Sequence, residues 1–75
     1  MEHYRNLGGY SGVAAYEIGD DYIKVRFLDG SIYLYNHQST GRDDIEHMKK
    51  LAQNGQGLNS FITRVVKKRY AAKIR

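Results

Sequence analysis

The stretch Phe27–Tyr35, with the sequence Phe-Leu-Asp-Gly-Ser-Ile-Tyr-Leu-Tyr, is predicted to be the turn and the second arm of a β-hairpin. The segment Tyr22–Phe27 alternates apolar and polar residues with a period of two, which predicts the first arm. Asp-Gly between two such runs favours a hairpin turn, because glycine adopts positive φ without steric cost. The rest of the chain is organised around this hairpin.

The turn leaves two registers open, which place Tyr33 and Tyr35 on opposite faces of the sheet. With a two-residue Asp-Gly turn, Val25 pairs with Leu34, and the tyrosines share a face with the basic residues of the first arm. With a type I turn over Leu-Asp and a bulge at the following glycine, Val25 pairs with Tyr33 and both tyrosines face the core. The hairpin by itself does not decide between them.

Length and composition restrict the class of protein. The chain has 75 residues and no cysteine. A single domain of this size buries only about 60% of its unfolded surface and has little stability to spare. No apolar run approaches the roughly 18–20 residues of a membrane span, so no membrane partner is predicted. The lack of cysteine excludes disulfides and thiolate metal sites and favours a cytoplasmic protein.

Positive charge is concentrated at the C-terminal end. The formal net charge is +4, but residues 61–75 contain six basic and no acidic side chains. The remaining six basic and eight acidic side chains give residues 1–60 a net charge of −2. This asymmetry predicts that the basic end contacts a polyanion or an acidic protein partner. A terminal helix is also often basic for structural reasons, since cations suit a helix C-terminus.

The N-terminal half is predicted to contain a tail and a small sheet. Three glycines interrupt any period in residues 1–12, so this segment is predicted to be a flexible tail that contacts the sheet at most through Tyr4 or Tyr10. Val13–Ile18 is predicted to be a further strand. Together with the hairpin it gives a three-stranded antiparallel meander over residues 13–36.

Two amphipathic helices are predicted to follow the meander. Asp43 is expected to cap the first helix, with Glu46 reaching back to it, and Asn-Gly at 54–55 is expected to end it. Asn59 or Ser60 is expected to cap a second helix that is basic on its outer face. The prediction is therefore an α+β domain over residues 13–75 with both helices on one face of the meander. Most of its predicted core is formed by Ile23, Val25, Phe27, Ile45, Met48, Leu51, Phe61, Ile62 and Val65.

With these elements in place, the chain resembles the KTSC domain family, found at the C-terminus of some lysyl-tRNA synthetases and as free-standing small bacterial proteins. The matching motifs are Val-Ala-Ala-Tyr at 13–16, Ile-x-Val-x-Phe-x-x-Gly-Ser-Ile-Tyr-x-Tyr at 23–35 and Gly-x-Gly-Leu-Asn-x-x-Ile at 55–62. Tyr-x-Tyr after Phe-x-x-Gly is the most specific of them. The chain departs from the family in two ways: no proline follows Tyr-x-Tyr, and Leu34 stands where members often carry a charged residue.

The resemblance and the charge distribution together predict a small non-catalytic module that binds RNA or another nucleic acid. The resemblance implies RNA, because the family occurs in a tRNA synthetase, and it also favours inward-facing tyrosines. Binders of single strands combine cations with exposed aromatic rings. The residues predicted to contact nucleic acid are Lys24, Arg26, Tyr33, Tyr35, Arg64, Lys67 and Lys68. The alternative is that the tyrosines are core residues and the cations serve solubility.

A loop between the two helices is a second candidate site. Free backbone N–H groups at a helix start attract phosphate. The candidate phosphate loop consists of Gly55, Gly57, Asn59 and Ser60. A glycine stop followed by a helix cap explains the same residues without a ligand.

Enzyme chemistry is not predicted. His3, His37 and His47 lack metal-ligand spacing, and no catalytic triad with a preorganised pocket is evident, so no catalytic residue, metal or cofactor is expected. The alternative to nucleic-acid binding is a protein-interaction or inhibitor module. Such a module would offer an edge strand and its basic residues to an acidic protein surface.

Overall fold

The computed structural model describes residues 1–9 and 11–75 as an α+β fold with one open antiparallel sheet. The strands follow each other in the sheet in chain order: β1 (Glu2–His3), β2 (Val13–Ile18), β3 (Tyr22–Phe27), β4 (Ile32–Asn36) and β5 (Ala72–Lys73). The helices are α1 (His37–Thr40), α2 (Arg42–Asn54) and α3 (Leu58–Phe61), and α3 continues as a π-helical segment, Ile62–Val66. The predicted three-stranded meander is the centre of the sheet, and a two-residue strand extends it at each edge.

The hairpin adopts the bulged register. Val25 pairs with Tyr33. The N–H of Phe27 donates to the carbonyl of Ser31 at 2.9 Å, and Gly30 has a φ of +90°, which the bulge position requires. The Tyr-x-Tyr pair therefore lies on the face of the sheet that carries the buried residues of β3.

The core lies between that face of the sheet and the helices. Five predicted core residues, Ile23, Val25, Ile45, Met48 and Ile62, are buried. Three more pack against the core while keeping some exposure: Phe27, Leu51 and Phe61. The other buried hydrophobic residues, outside that predicted set, are Tyr4, Val13, Ala15, Tyr16, Tyr35, Ala52, Leu58 and Val66.

The prediction of the second helix is wrong in the length of the helix and in the side chains that it buries. It forms one α-helical turn and then widens into the π-helical segment, which has more residues per turn. A helical wheel drawn at 100° per residue places Val65 and Val66 on the same apolar side; Val66 is fully buried, but the wider turn leaves Val65 45% exposed. Beyond Val66 the chain reverses and returns to the sheet as β5, so no basic helix extends to residue 75.

The first residues of the chain belong to the sheet and the core rather than to a free tail. β1 pairs with β2, and the backbone N–H of Tyr4 donates to the carbonyl of Ala14 at 3.0 Å. The Tyr4 side chain is 1% exposed, and its hydroxyl accepts a hydrogen bond from the N–H of Leu58 at 3.2 Å. The expected contact of Tyr4 with the sheet is confirmed; Tyr10 lies outside the described residues.

The ends of α2 are partly as predicted. The helix ends at Asn54, and Gly55 takes the left-handed conformation with a φ of +74°. It begins without a side-chain cap. Glu46 instead lies 2.9 Å from the Lys49 ammonium and 3.1 Å from His37 Nε2, and these contacts lower the pKa of Glu46. Among the described residues 1–9 and 11–75, no helix is long and apolar enough to cross a membrane.

Candidate nucleic-acid interface

A groove of about 500 Å³ opens between the hairpin turn and the turn that follows the π-helical segment. It brings together the Tyr-x-Tyr strand and the basic C-terminal end, which are distant in the sequence. We call it the aromatic groove. Its lining consists of Gly12, Phe27, Leu28, Asp29, Ser31, Tyr33, Tyr35, Lys67, Lys68 and Tyr70.

Four aromatic rings form the inner wall of the groove. The Tyr33 ring lies at the centre, with its centroid 4.7 Å from that of Tyr70 and 5.7 Å from that of Phe27. The Tyr35 and Tyr70 centroids are 6.3 Å apart, and all three pairs meet edge to face. This is the favourable arrangement for aromatic pairs, so the rings hold one another in place.

Lys67 has a backbone conformation that is rare for a residue with a side chain. Its φ is +54° and its ψ is −124°, which is the first central position of a type II′ turn. The turn is closed by a hydrogen bond from the N–H of Arg69 to the carbonyl of Val66 at 3.1 Å. Glycine normally fills this position, and another residue there costs about 1–3 kcal/mol. The chain therefore keeps a lysine in a strained conformation at the rim of the groove.

Arg69 and Thr40 hold this turn in place. The Arg69 guanidinium donates to the carbonyl of Thr40 at 2.7 Å and to the Asp44 carboxylate at 2.7 Å. In return, the buried Thr40 hydroxyl donates to the carbonyl of Arg69 at 2.8 Å. A strained backbone persists only where the surrounding structure fixes it, and these bonds supply that constraint.

Relieving the strain at Lys67 is expected to stabilise the protein. Lys67→Gly should raise the free energy of unfolding by about 1 kcal/mol, because the strain it removes exceeds the cost of a more flexible unfolded chain. Lys68→Gly is the matched control and should lower it by about 0.5–1 kcal/mol, since φ is not positive there. Urea denaturation measures both; equal effects of the two changes would contradict the assigned strain.

The two tyrosines of the predicted stacking surface differ in accessibility. Tyr35 is 2% exposed, so its ring belongs to the core, and the prediction that it stacks on a base is corrected. Burial raises the pKa of Tyr35 to about 12. Tyr33 is half-buried and keeps part of its ring in the groove. The bulged register explains both placements, because it turns the Tyr-x-Tyr face towards the helices.

The predicted cations are spread over several surfaces. Lys67 and Lys68 are exposed at the rim of the groove. Arg26 is exposed on the side of the hairpin that faces away from the helices. Lys24 is nearby but lies 3.5 Å from the Glu17 carboxylate. Arg64 is exposed on the π-helical segment and does not line the groove. The structure thus joins the two lysines to the aromatic rings and leaves the other predicted cations outside.

The candidate phosphate loop already uses several of its backbone donors within the fold. The N–H of Gly55 donates to the carbonyls of Leu51 and Ala52, and the N–H of Leu58 donates to Tyr4. Gly57 precedes α3, which has no side-chain cap, so Asn59 and Ser60 do not cap it. These contacts support the structural explanation of the loop, a glycine stop between two helices.

Three residues near the groove were missed from the sequence. Tyr70, which belongs to no predicted site, lies in the reversed segment and contacts Tyr33. Phe27 was assigned to the core only. Lys73 was counted only as part of the basic end, yet its ammonium lies 5.8 Å from the Tyr33 ring centroid. β5 contains only two residues, which is too short for a strand period to be recognised in the sequence.

Comparisons with known proteins give no relative for this chain. A scan against family models found no match, and searches of the curated proteins and of the solved structures found no significant match either. Among residues 1–9 and 11–75, no group of three or more histidine, aspartate or glutamate side chains is arranged to hold a metal ion.

Proposed function

We propose that this chain is a non-catalytic module that binds single-stranded nucleic acid, RNA in preference to DNA, in the aromatic groove. The observation that carries the proposal is the joining of half-buried tyrosine rings and two exposed lysines in one groove. The preference for RNA rests on the resemblance to the KTSC family. That resemblance is inferred from the motif residues.

The tyrosine rings and the two lysines of the groove both suit an unpaired nucleotide. A base inserted against Tyr33 and Tyr70 would gain about 1–3 kcal/mol from stacking, whatever its identity. Lys67 and Lys68 would contact the adjacent phosphates, and the net charge of +4 would speed association. A base-paired duplex does not offer such a splayed base, so single strands are the expected ligands.

The test is fluorescence anisotropy of a short labelled single-stranded RNA across a salt series. The logarithm of the affinity should fall linearly with the logarithm of salt, by about 0.7 for each phosphate neutralised. Replacing Lys67 and Lys68 together by alanine should weaken binding at low salt at least tenfold and make the slope shallower by about 1.4. Tyr70→Leu should weaken binding roughly 5- to 100-fold with little change in slope, because it removes stacking and no charge.

The matched control for the lysines is Lys50→Ala, an exposed lysine of α2 that does not line the groove. It should leave affinity and slope close to those of the unaltered protein. Circular dichroism at the binding temperature verifies that each variant is folded. No binding of RNA by the unaltered protein at low salt would reject the proposal, since electrostatic attraction is then strongest.

A protein partner is the competing occupant of the same surface. Leu28 at the groove is 71% exposed, and an acidic protein segment with an apolar side chain would match it and the two lysines. A partner that is captured after nuclease treatment, and lost on replacing Lys67 and Lys68, would replace RNA as the ligand of the groove.

A further inference from the structure

A second, cationic pocket lies on the other side of the hairpin turn from the aromatic groove. Its volume is about 440 Å³, and we call it the cationic pocket. It is lined by Arg26, Asp29, Gly30, Ser31, Lys73 and Arg75. Because Asp29 and Ser31 also line the aromatic groove, only the tip of the hairpin separates the two sites.

The start of β4 holds the three cations of this pocket in place. Arg26 is paired across the hairpin with Ile32. The backbone N–H groups of Ile74 and Arg75 donate to the carbonyl of Ile32 at 2.7 and 3.3 Å. Lys73 pairs with the next residue, Tyr33. Arg26 therefore meets two basic residues from the other end of the chain, because β5 joins the edge of the sheet beside the hairpin.

The charge of the pocket is strongly positive. Among the described residues that line it, Asp29 supplies the only carboxylate side chain, and its Oδ1 accepts hydrogen bonds from the N–H and the hydroxyl of Ser31 at 2.9 and 2.6 Å. Within the described part of the chain, no salt bridge involves Arg26, Lys73 or Arg75. Three cationic side chains thus line the pocket with one carboxylate side chain, which is hydrogen-bonded within the hairpin turn.

We propose that the cationic pocket binds a phosphate of the same strand whose base occupies the aromatic groove. The proposal rests on the proposed function and adds the path of the bound strand, which crosses the hairpin tip at residues 29–31. Arginine forms paired hydrogen bonds with phosphate oxygens, which suits Arg26 and Arg75. Lys73 lies between the sites, since its ammonium also approaches the Tyr33 ring.

The test combines a charge-removing pair with a matched pair elsewhere. Arg26→Gln with Lys73→Gln should weaken binding of the labelled RNA about tenfold at low salt and make the salt slope shallower by about 0.7, the value for one phosphate of a single strand. Arg42→Gln with Lys50→Gln removes the same charge from exposed positions outside both sites. This pair should change neither the affinity nor the salt slope by a comparable amount. All four residues are at least partly free of the core, so the fold should persist.

A second measurement identifies the source of the phosphate. Adenosine should shift amide resonances of residues that line the aromatic groove, whereas the dinucleotide adenylyl-adenosine should also shift those of Arg26, Gly30 and Arg75, which line the cationic pocket alone. RNA binding that is unaffected by the Arg26 and Lys73 changes would overturn the strand path while leaving the proposed function intact. Equal shifts at Arg26, Gly30 and Arg75 with inorganic phosphate and with the dinucleotide would also overturn it, because the pocket would then be a site for free phosphate.

Discussion

Tyr4→Ala is expected to remove most of the stability of the protein. Truncating a fully buried aromatic side chain costs about 3–5 kcal/mol, and Tyr4 is 1% exposed. The change also leaves the buried N–H of Leu58 without its hydroxyl acceptor, which costs about 1–3 kcal/mol more. The total free energy of unfolding of a domain of this length is roughly 4–11 kcal/mol. Urea denaturation should therefore show a variant that is largely unfolded or close to it.

Two variants separate the contributions of the ring and the hydroxyl. Tyr4→Phe keeps the ring and should lose only the cost of the unpaired Leu58 N–H, about 1–3 kcal/mol. Leu7→Ala alters a neighbouring side chain that is 62% exposed and should change the free energy of unfolding by less than about 0.5 kcal/mol. If Tyr4→Ala were as stable as Leu7→Ala, the first residues would not form part of the core.

The sequence predicts the elements whose side chains follow a long enough period. The three central strands lie at the predicted positions, and the Asn-Gly pair ends α2 as expected. The outer strands could not be found this way, because β1 and β5 contain two residues each and depend on pairing with distant strands. Tyr4 is buried for the same reason: its partner Leu58 is 54 residues away.

The hairpin register depended on contacts outside the hairpin. The Asp-Gly turn permits both registers, and the observed one leaves Ile32 and Leu34 half-exposed on the open face of the sheet. In exchange it buries Tyr35 and packs Tyr33 against Tyr70, a residue from the other end of the chain. The two-residue turn would have separated apolar from polar side chains better within the hairpin. The aromatic partners supplied by the rest of the fold therefore decide the register more strongly than the hairpin's own pattern.

The candidate site was predicted in its chemistry but not in its geometry. The sequence shows both the excess of cations near residue 75 and the Tyr-x-Tyr motif of the predicted strand. Their meeting depends on the π-helical segment and on the reversal at Lys67, where a lysine has the conformation of a glycine. No propensity rule predicts that reversal, because it is imposed by the contacts of Arg69 and Thr40.

Raising the pH above 10 is expected to destabilise the protein through Tyr35. Burial raises the pKa of this phenol from 10.0 to about 12 in the folded protein. The folded pKa lies above the unfolded one, so the stabilising effect is complete below pH 10 and is lost as the pH rises through 12. This difference in pKa corresponds to roughly 3 kcal/mol. The free energy of unfolding, measured with urea between pH 9 and 12, should fall by up to that amount.

Tyr35→Phe isolates this effect from the deprotonation of lysines and of the other tyrosines. It keeps the ring packing against Tyr70 and should leave the protein folded at neutral pH. Above pH 10, however, it should lose about 2–3 kcal/mol less than the unaltered protein, because it has no phenol to ionise in the unfolded state. Parallel losses in the two proteins would mean that the Tyr35 phenol ionises as readily in the fold as in the unfolded chain. Its ring would then be open to solvent, and the assignment of Tyr35 to the core rather than to the binding surface would be wrong.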